Sequence, residues 1–167
     1  MPRTDPDQVE ATMLVFVPAD PDRWRDALQA RPVVGHAATP GLLEEFGYGP
    51  ADDEQAEHAA MVLASVAGLA QYGRRGVLAC EVPPSTISTD PAHPDTPNGR
   101  VEVDSIDPSR VVSWFTDEAD LDVSTAARAA SGLGLDRAWE TPEVASLVEE
   151  CALLWHAAEE LPGRGED

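Results

Sequence analysis

The sequence predicts an α+β domain, a mixed four-stranded sheet covered by about five helices, and three observations carry that expectation. Met13-Leu14-Val15-Phe16-Val17 and Gly76-Val77-Leu78-Ala79-Cys80-Glu81-Val82 are continuous apolar runs rich in β-branched residues, each closed by proline. Such runs suit strands buried on both faces. Helical spacing of apolar residues recurs between and after them. A composition 43% apolar and 25% charged over 167 residues is that of a folded chain, read here as one domain over 12–161 between loose ends at 1–11 and 162–167.

Taken in order, the first strand ends at Pro18 and should lie centrally in the sheet. Asp20-Pro21 then supplies an N-cap and a proline at the first helical position, with Trp24, Ala27 and Leu28 at helical spacing up to about Arg31. Thr39-Pro40 repeats that start for a short helix carrying Leu42, Leu43 and Phe46, which stops at Gly47-Tyr48-Gly49-Pro50. Asp52 with Gln55 has the form of a capping box, and 54–72 contains no proline and one internal glycine. This should be the longest helix, packed on more than one side because Ala59 to Ala64 is apolar nearly all round. The second buried strand follows at 76–82.

The stretch 83–99 holds five prolines and Asn98-Gly99 and reads as an exposed loop. Val101 and Val103 alternate with Glu102 and Asp104, as in a strand with one solvated face, and 110–115 gives a further strand with Trp114 and Phe115. A helix carrying Val123, Ala126, Ala127 and Ala130 runs to Ser131-Gly132. Thr141-Pro142 opens a final helix, with Val144, Leu147, Val148, Cys151, Leu154, Trp155 and Ala158 at intervals of three and four as far as Leu161. The four tryptophans fall mostly on apolar stripes and read as core.

Charge excludes several functions. All eleven basic residues are arginine, against thirty-one carboxylates, for a formal net charge of -20. Without lysine there is no side-chain amine for a Schiff base and no lysine for a phosphate-binding loop. The acidity repels nucleic-acid phosphates and anionic lipid, so neither nucleic acid nor a membrane surface is an expected partner. Twenty-five alanines and arginine in place of lysine fit a GC-rich coding sequence, and salt adaptation or a basic partner protein are the other sources of such a charge. Neither a signal peptide nor a run long enough to span a bilayer is visible, and Cys80 and Cys151 read as reduced core thiols. A cytoplasmic protein is expected.

Few constellations carry chemistry. Asp117, Glu118, Asp120 and Asp122 follow a strand and open a helix, a place where oxygen ligands for a divalent cation such as magnesium are presented. Capping and the helix dipole account for the same carboxylates without a metal. Glu57 and His58 on one helix, with His156 on another, form the kind of set that builds a metal site between facing helices. Against this, His156 points roughly 120° from the inward stripe of its helix at about 100° per residue. Gly47-Tyr48-Gly49 lacks the strand and third glycine of a dinucleotide fingerprint, no serine sits in a nucleophile turn, and Cys80 lacks electropositive neighbours. No cofactor is expected, a divalent cation excepted.

Phe16-Val17-Pro18-Ala19, Thr39-Pro40-Gly41-Leu42, Glu57-His58-Ala59-Ala60, Glu81-Val82-Pro83 and Leu153-Leu154-Trp155-His156-Ala157-Ala158-Glu159-Glu160 together resemble a family of small uncharacterised proteins from high-GC Gram-positive bacteria. The likeness runs from about Met13 to Leu161. It implies a stand-alone cytoplasmic domain and brings no catalytic residue with it. It also implies aromatic residues where His58 and His156 stand, which counts against a histidine metal site, and a shorter loop than 83–99. The expected function is a non-enzymatic acidic module that binds a basic protein partner. The competing expectation is a small divalent-metal-dependent enzyme or metabolite-binding protein that uses Asp117, Glu118, Asp120, Glu57 and a histidine.

Overall fold

Both long apolar runs become strands with each face covered, and the sheet is organised around them. The computed structural model describes residues 11–163. The strands are β1 (Met13–Pro18), β2 (Val33–His36), β3 (Gly76–Val82), β4 (Ile87–Ser88), β5 (Arg100–Val103), β6 (Val111–Thr116) and β7 (Leu154–Ala157). The α-helices are α1 (Trp24–Gln29), α2 (Pro40–Phe46), α3 (Asp53–Tyr72), α4 (Ser124–Ala130), α5 (Leu135–Glu140) and α6 (Pro142–Glu150). One sheet has the order β4-β5-β2-β1-β3-β6-β7. Every neighbouring pair in it is antiparallel.

Alternation along β1 and β3 divides the core in two. Phe16, Val77 and Ala79 face a layer built from α2 to α6, with Leu63, Val66 and Leu69 of α3 at its centre. Val15, Val17, Leu78 and Cys80 face the other way, toward Trp24 and Leu28, Val101 and Val103, Ile106 and Leu161. The central pair, β1 with β3, runs in register from Met13↔Val82 to Pro18↔Val77. β1 is the middle strand, as its two-faced apolar run predicts.

The caps are partly those the sequence marks. Thr39 accepts from the Leu42 backbone N–H, and Asp20 accepts from that of Asp22. Asp52 stands at the N-cap of α3 but makes no capping-box bond; its carboxylate accepts from Gly49 N–H instead. The 20-residue α3 buries Ala56, Ala60, Met61, Leu63, Ala64, Val66 and Leu69, so it is covered on more than one side.

The four-stranded mixed sheet with five helices is not what forms. Among the described residues there are seven strands, all antiparallel, and six α-helices. β2 and β4 are too short, at four and two residues, to show a periodic signal of their own. α5 is six residues long and ends where α6 begins. The helix expected from Thr141 to Leu161 is divided: α6 stops at Glu150, and Leu154–Ala157 pairs with β6 as an edge strand. The apolar spacing of three and four was real, but β6 offered an unpaired ladder, and main-chain pairing along it overrode a propensity that is a weak prior.

That division moves the tryptophans. Trp24 is buried at 2% exposure, whereas Trp139 and Trp155 are 38% and 63% exposed, so only part of the set is core. The loop 83–99 contains short turns of 3-10 helix and β4, and Asn98 at its end is buried. Of the expected tails, Pro162 and Gly163 are held, accepting from Trp24 Nε1 and from Arg25. Residues 1–10 and 164–167 lie outside the described residues. No helix among the described residues is long and apolar enough to cross a membrane.

β3 begins against the turn after β1. A Cβ on Gly76 would stand 2.2 Å from the Ala19 carbonyl oxygen and 2.8 Å from Pro21 Cδ. Neither atom is the end of a flexible side chain, so Gly76→Ala should cost about 1–3 kcal/mol, read as a lower denaturation midpoint at unchanged m-value.

Candidate functional site

The expected metal ligands do not converge. Asp117 follows β6 and faces Arg75, the residue before β3, which is 2% exposed in its side chain. Arg75 Nε donates to Asp117 Oδ1 at 2.9 Å, its guanidinium donates to the Cys151 carbonyl at 2.8 Å, and its backbone N–H reaches Asp117 Oδ2 at 3.4 Å. The carboxylate is thus half of a buried ion pair. Glu118 and Asp120 are exposed, and Asp122 caps the turn before α4 by accepting from Ser124 N–H.

Glu57 is half-buried on α3 and lines a pocket of about 250 Å³ with Asp53 and Glu81. Burial, with Asp53 and Glu54 beside it, raises its pKa above the ordinary carboxylate value. His58, one residue on, is exposed. His156 lies in β7 rather than on a helix: its ring stacks on Trp114 at 4.2 Å between centroids, and its Nε2 is 2.7 Å from Thr116 Oγ1. The helical-wheel direction assigned to it therefore does not apply. Among the described residues no three His, Cys, Asp or Glu side chains gather as a metal site would need. Cys80 is buried and Cys151 half-buried, and the two are not joined by a disulfide.

Two concave regions lie on the helical side of the sheet, and neither was marked by the sequence. The larger, about 780 Å³, is a cleft between β2, the α1 segment with the turn after it, the C-terminal half of α3 and the turn 132–135. His36, 3% exposed, stands in its wall opposite Arg100 on β5. His36 Nδ1 is 2.8 Å from the Asn98 carbonyl oxygen. Burial lowers the ring's pKa, and Arg100 lowers it further, against opposing effects of the Asn98 bond and the Asp95 carboxylate.

The smaller, about 410 Å³, is a groove between the end of α2 and α5. Phe46 and Trp139, 40% and 38% exposed, stand in it with Glu45, Asp136 and Glu140. Phe46 is fixed by stacking on Tyr48 at 6.0 Å. Gly47 ends α2 at a φ of 70°, a left-handed cap that lets the chain turn back so that the two rings meet. Asn98 connects the regions: its carbonyl holds His36, and its side-chain amide donates to Asp136 Oδ1 at 2.9 Å. The signal available in the sequence was slight, since Trp139 sits next to Glu140 in a segment not read as an element.

Residues 13–163 match the model of a protein family described as a family of unknown function, DUF6912. No curated protein and no solved structure matches the chain.

Two outcomes follow from these contacts. Removing the charge of Asp117 leaves a buried guanidinium without its counter-ion, so Asp117→Asn should destabilise the fold by about 3–5 kcal/mol in chemical denaturation. For His36, the unfolded chain takes up a proton near the ordinary histidine value of 6.5 and the folded chain only at lower pH. The stabilisation is therefore complete above that value and is lost as pH falls through and below it. Between about pH 7.5 and pH 5.5 the wild-type melting temperature should fall more steeply than that of His36→Gln.

Proposed function

We propose, on the premise that the chain belongs to the DUF6912 family, that it is a non-enzymatic interaction module that docks a basic segment of a partner protein. The single observation that carries this reading is the groove in which two exposed aromatic rings, Phe46 and Trp139, stand among the carboxylates of Glu45, Asp136 and Glu140. An arginine or lysine side chain needs both parts. Its charge is met by the carboxylates, while its stem and cationic head lie on an aromatic face, an interaction of about 0.5–2 kcal/mol. Tryptophan is also among the residues enriched at the energetic centres of protein interfaces.

The net charge of -20 acts at longer range, drawing a basic partner in and speeding encounter. It repels nucleic acid and anionic lipid by the same physics. We place the module in the cytoplasm of a high-GC Gram-positive bacterium, as its resemblance to a family of small proteins from such bacteria implies. A metal-dependent activity has less support, because Asp117 is engaged by Arg75 and the other candidates lie apart.

Fluorescence anisotropy with labelled arginine-rich, lysine-rich and neutral peptides tests the reading on the intact protein. The arginine-rich peptide should bind, and Trp139→Ala and Glu140→Lys should each weaken it roughly tenfold. Asp104→Lys, an exposed charge change outside the groove, should leave most of the affinity. If Trp139→Ala and Asp104→Lys act equally, or if no basic peptide binds even at low salt, the groove is not a docking site.

A further inference from the structure

The cleft beside β2 is a second region, with its own chemistry. A carbonyl can only accept, so the 2.8 Å contact between His36 and Asn98 puts the proton on Nδ1 and leaves Nε2 with a free lone pair. Among the described residues the ring makes no other hydrogen bond, yet no fully buried side-chain nitrogen or oxygen lacks a partner. Nε2 is therefore the part of this 3%-exposed ring that reaches accessible space, and the space next to it is the cleft. Burial keeps the ring neutral near pH 7, so it offers an acceptor to whatever lies there.

Its neighbours narrow the chemistry. Arg100 is paired with His36 across β2 and β5, and the nearest carboxylate to its guanidinium, Glu102, is 3.7 Å away, a loose contact that leaves donors for a ligand. Asp95 is joined to the same residue through the backbone, Arg100 N–H to Asp95 O at 3.1 Å, and its carboxylate accepts only a long 3.3 Å bond from Asn98. An acceptor ring, a carboxylate and a guanidinium thus stand side by side. Val34 lies beside His36 on β2, Ala67 and Ala70 of α3 and Ala27 and Ala30 of the α1 segment add apolar surface, and Asp26 and Tyr72 stand at the same cleft. Pockets of several hundred Å³ with apolar walls and a few converging polar groups are the usual form of a small-molecule site.

We infer that this cleft binds a small zwitterion with an apolar body, an apolar α-amino acid or a short peptide end. The ammonium donates to His36 Nε2 and to Asp95, the carboxylate meets Arg100, and the apolar side chain lies against Val34, Ala67 and Ala70. An anion alone would leave Asp95 opposed and unpaired. A simple amine would leave Arg100 unused. This inference is independent of the docking groove, although Leu135 borders both regions.

Calorimetric titration of the intact protein with L-leucine and L-phenylalanine, with amide NMR to map the site, tests it. Saturable binding is expected, with shifts confined to β2, the end of α1, the end of α3, the turn 132–135 and the segment from Asp95 to Arg100. Phenethylamine, which lacks the carboxylate, and N-acetyl-L-phenylalanine, which lacks the ammonium, should each bind at least roughly tenfold more weakly. Arg100→Met should weaken L-phenylalanine by a similar factor. Ala70→Trp, which fills the cleft from an existing helix, should abolish binding while the amide spectrum stays that of a folded chain. Trp139→Ala should bind L-phenylalanine like the wild type, which separates this result from that of the groove. The inference is overturned if neither amino acid binds more tightly than about 10 mM, if the two analogues bind as well as L-phenylalanine, or if Ala70→Trp binds it unchanged.

Discussion

Arg75 is the constraint on which the helical side of the molecule depends. Its buried guanidinium joins the start of β3 to Asp117 after β6 and to the Cys151 carbonyl at the end of α6. A cation taken from water has to be matched completely, by charge and by hydrogen bonds, or its desolvation is uncompensated. Here Asp117 supplies the charge and Cys151 an additional acceptor. The match fixes where three chain segments meet, and it uses a backbone carbonyl at the very point where α6 ends. The helix stops and the chain is directed to the edge of β6.

From that point the sheet decides the rest. β7 adds to β6 with Trp114↔His156 and Phe115↔Trp155 in register, and Trp114 Nε1 donates to the Ala157 carbonyl. The other end of the sheet is closed by β5 and the short β4. Between these edges β1 and β3 are covered on both faces, and the two larger concave regions among the described residues lie where short elements meet α3. The cleft forms where β2 is too short to reach along α3, and the groove forms where α2 and α5 end. Both regions are thus products of short elements set against long ones. Asn98 holds a wall of each, through His36 on one side and Asp136 on the other.

The candidate site was poorly legible for a definite reason. Carboxylates and histidines were sought as clusters in sequence, and the clusters were real as strings of residues. Asp117 was nevertheless engaged by an arginine forty-two positions earlier, and His156 by a tryptophan on a neighbouring strand. Conversely, His36 attracted no notice because it lies alone in sequence. Its neighbours Arg100 and Asp95 are brought to it by β-pairing and by the turn that precedes β5. The tryptophans read as core from their places on apolar stripes, yet the ring of Trp139 on the six-residue α5 is 38% exposed.

By itself the sequence determined whatever is decided within one element. The two doubly buried strands, the caps at Thr39 and Asp20, the long α3 and the placing of β1 at the centre follow from runs and periods of a few residues, and they formed as the pattern requires. The tertiary structure decided the direction of every strand pair, the existence of β2, β4 and α5, the division of 142–161 into a helix and a strand, and the grouping of polar residues. Those features rest on contacts between residues far apart along the chain. Helix and strand propensities each span only about 1 kcal/mol per residue across ordinary side chains, and a free sheet edge or a buried cation that needs a partner outweighs them.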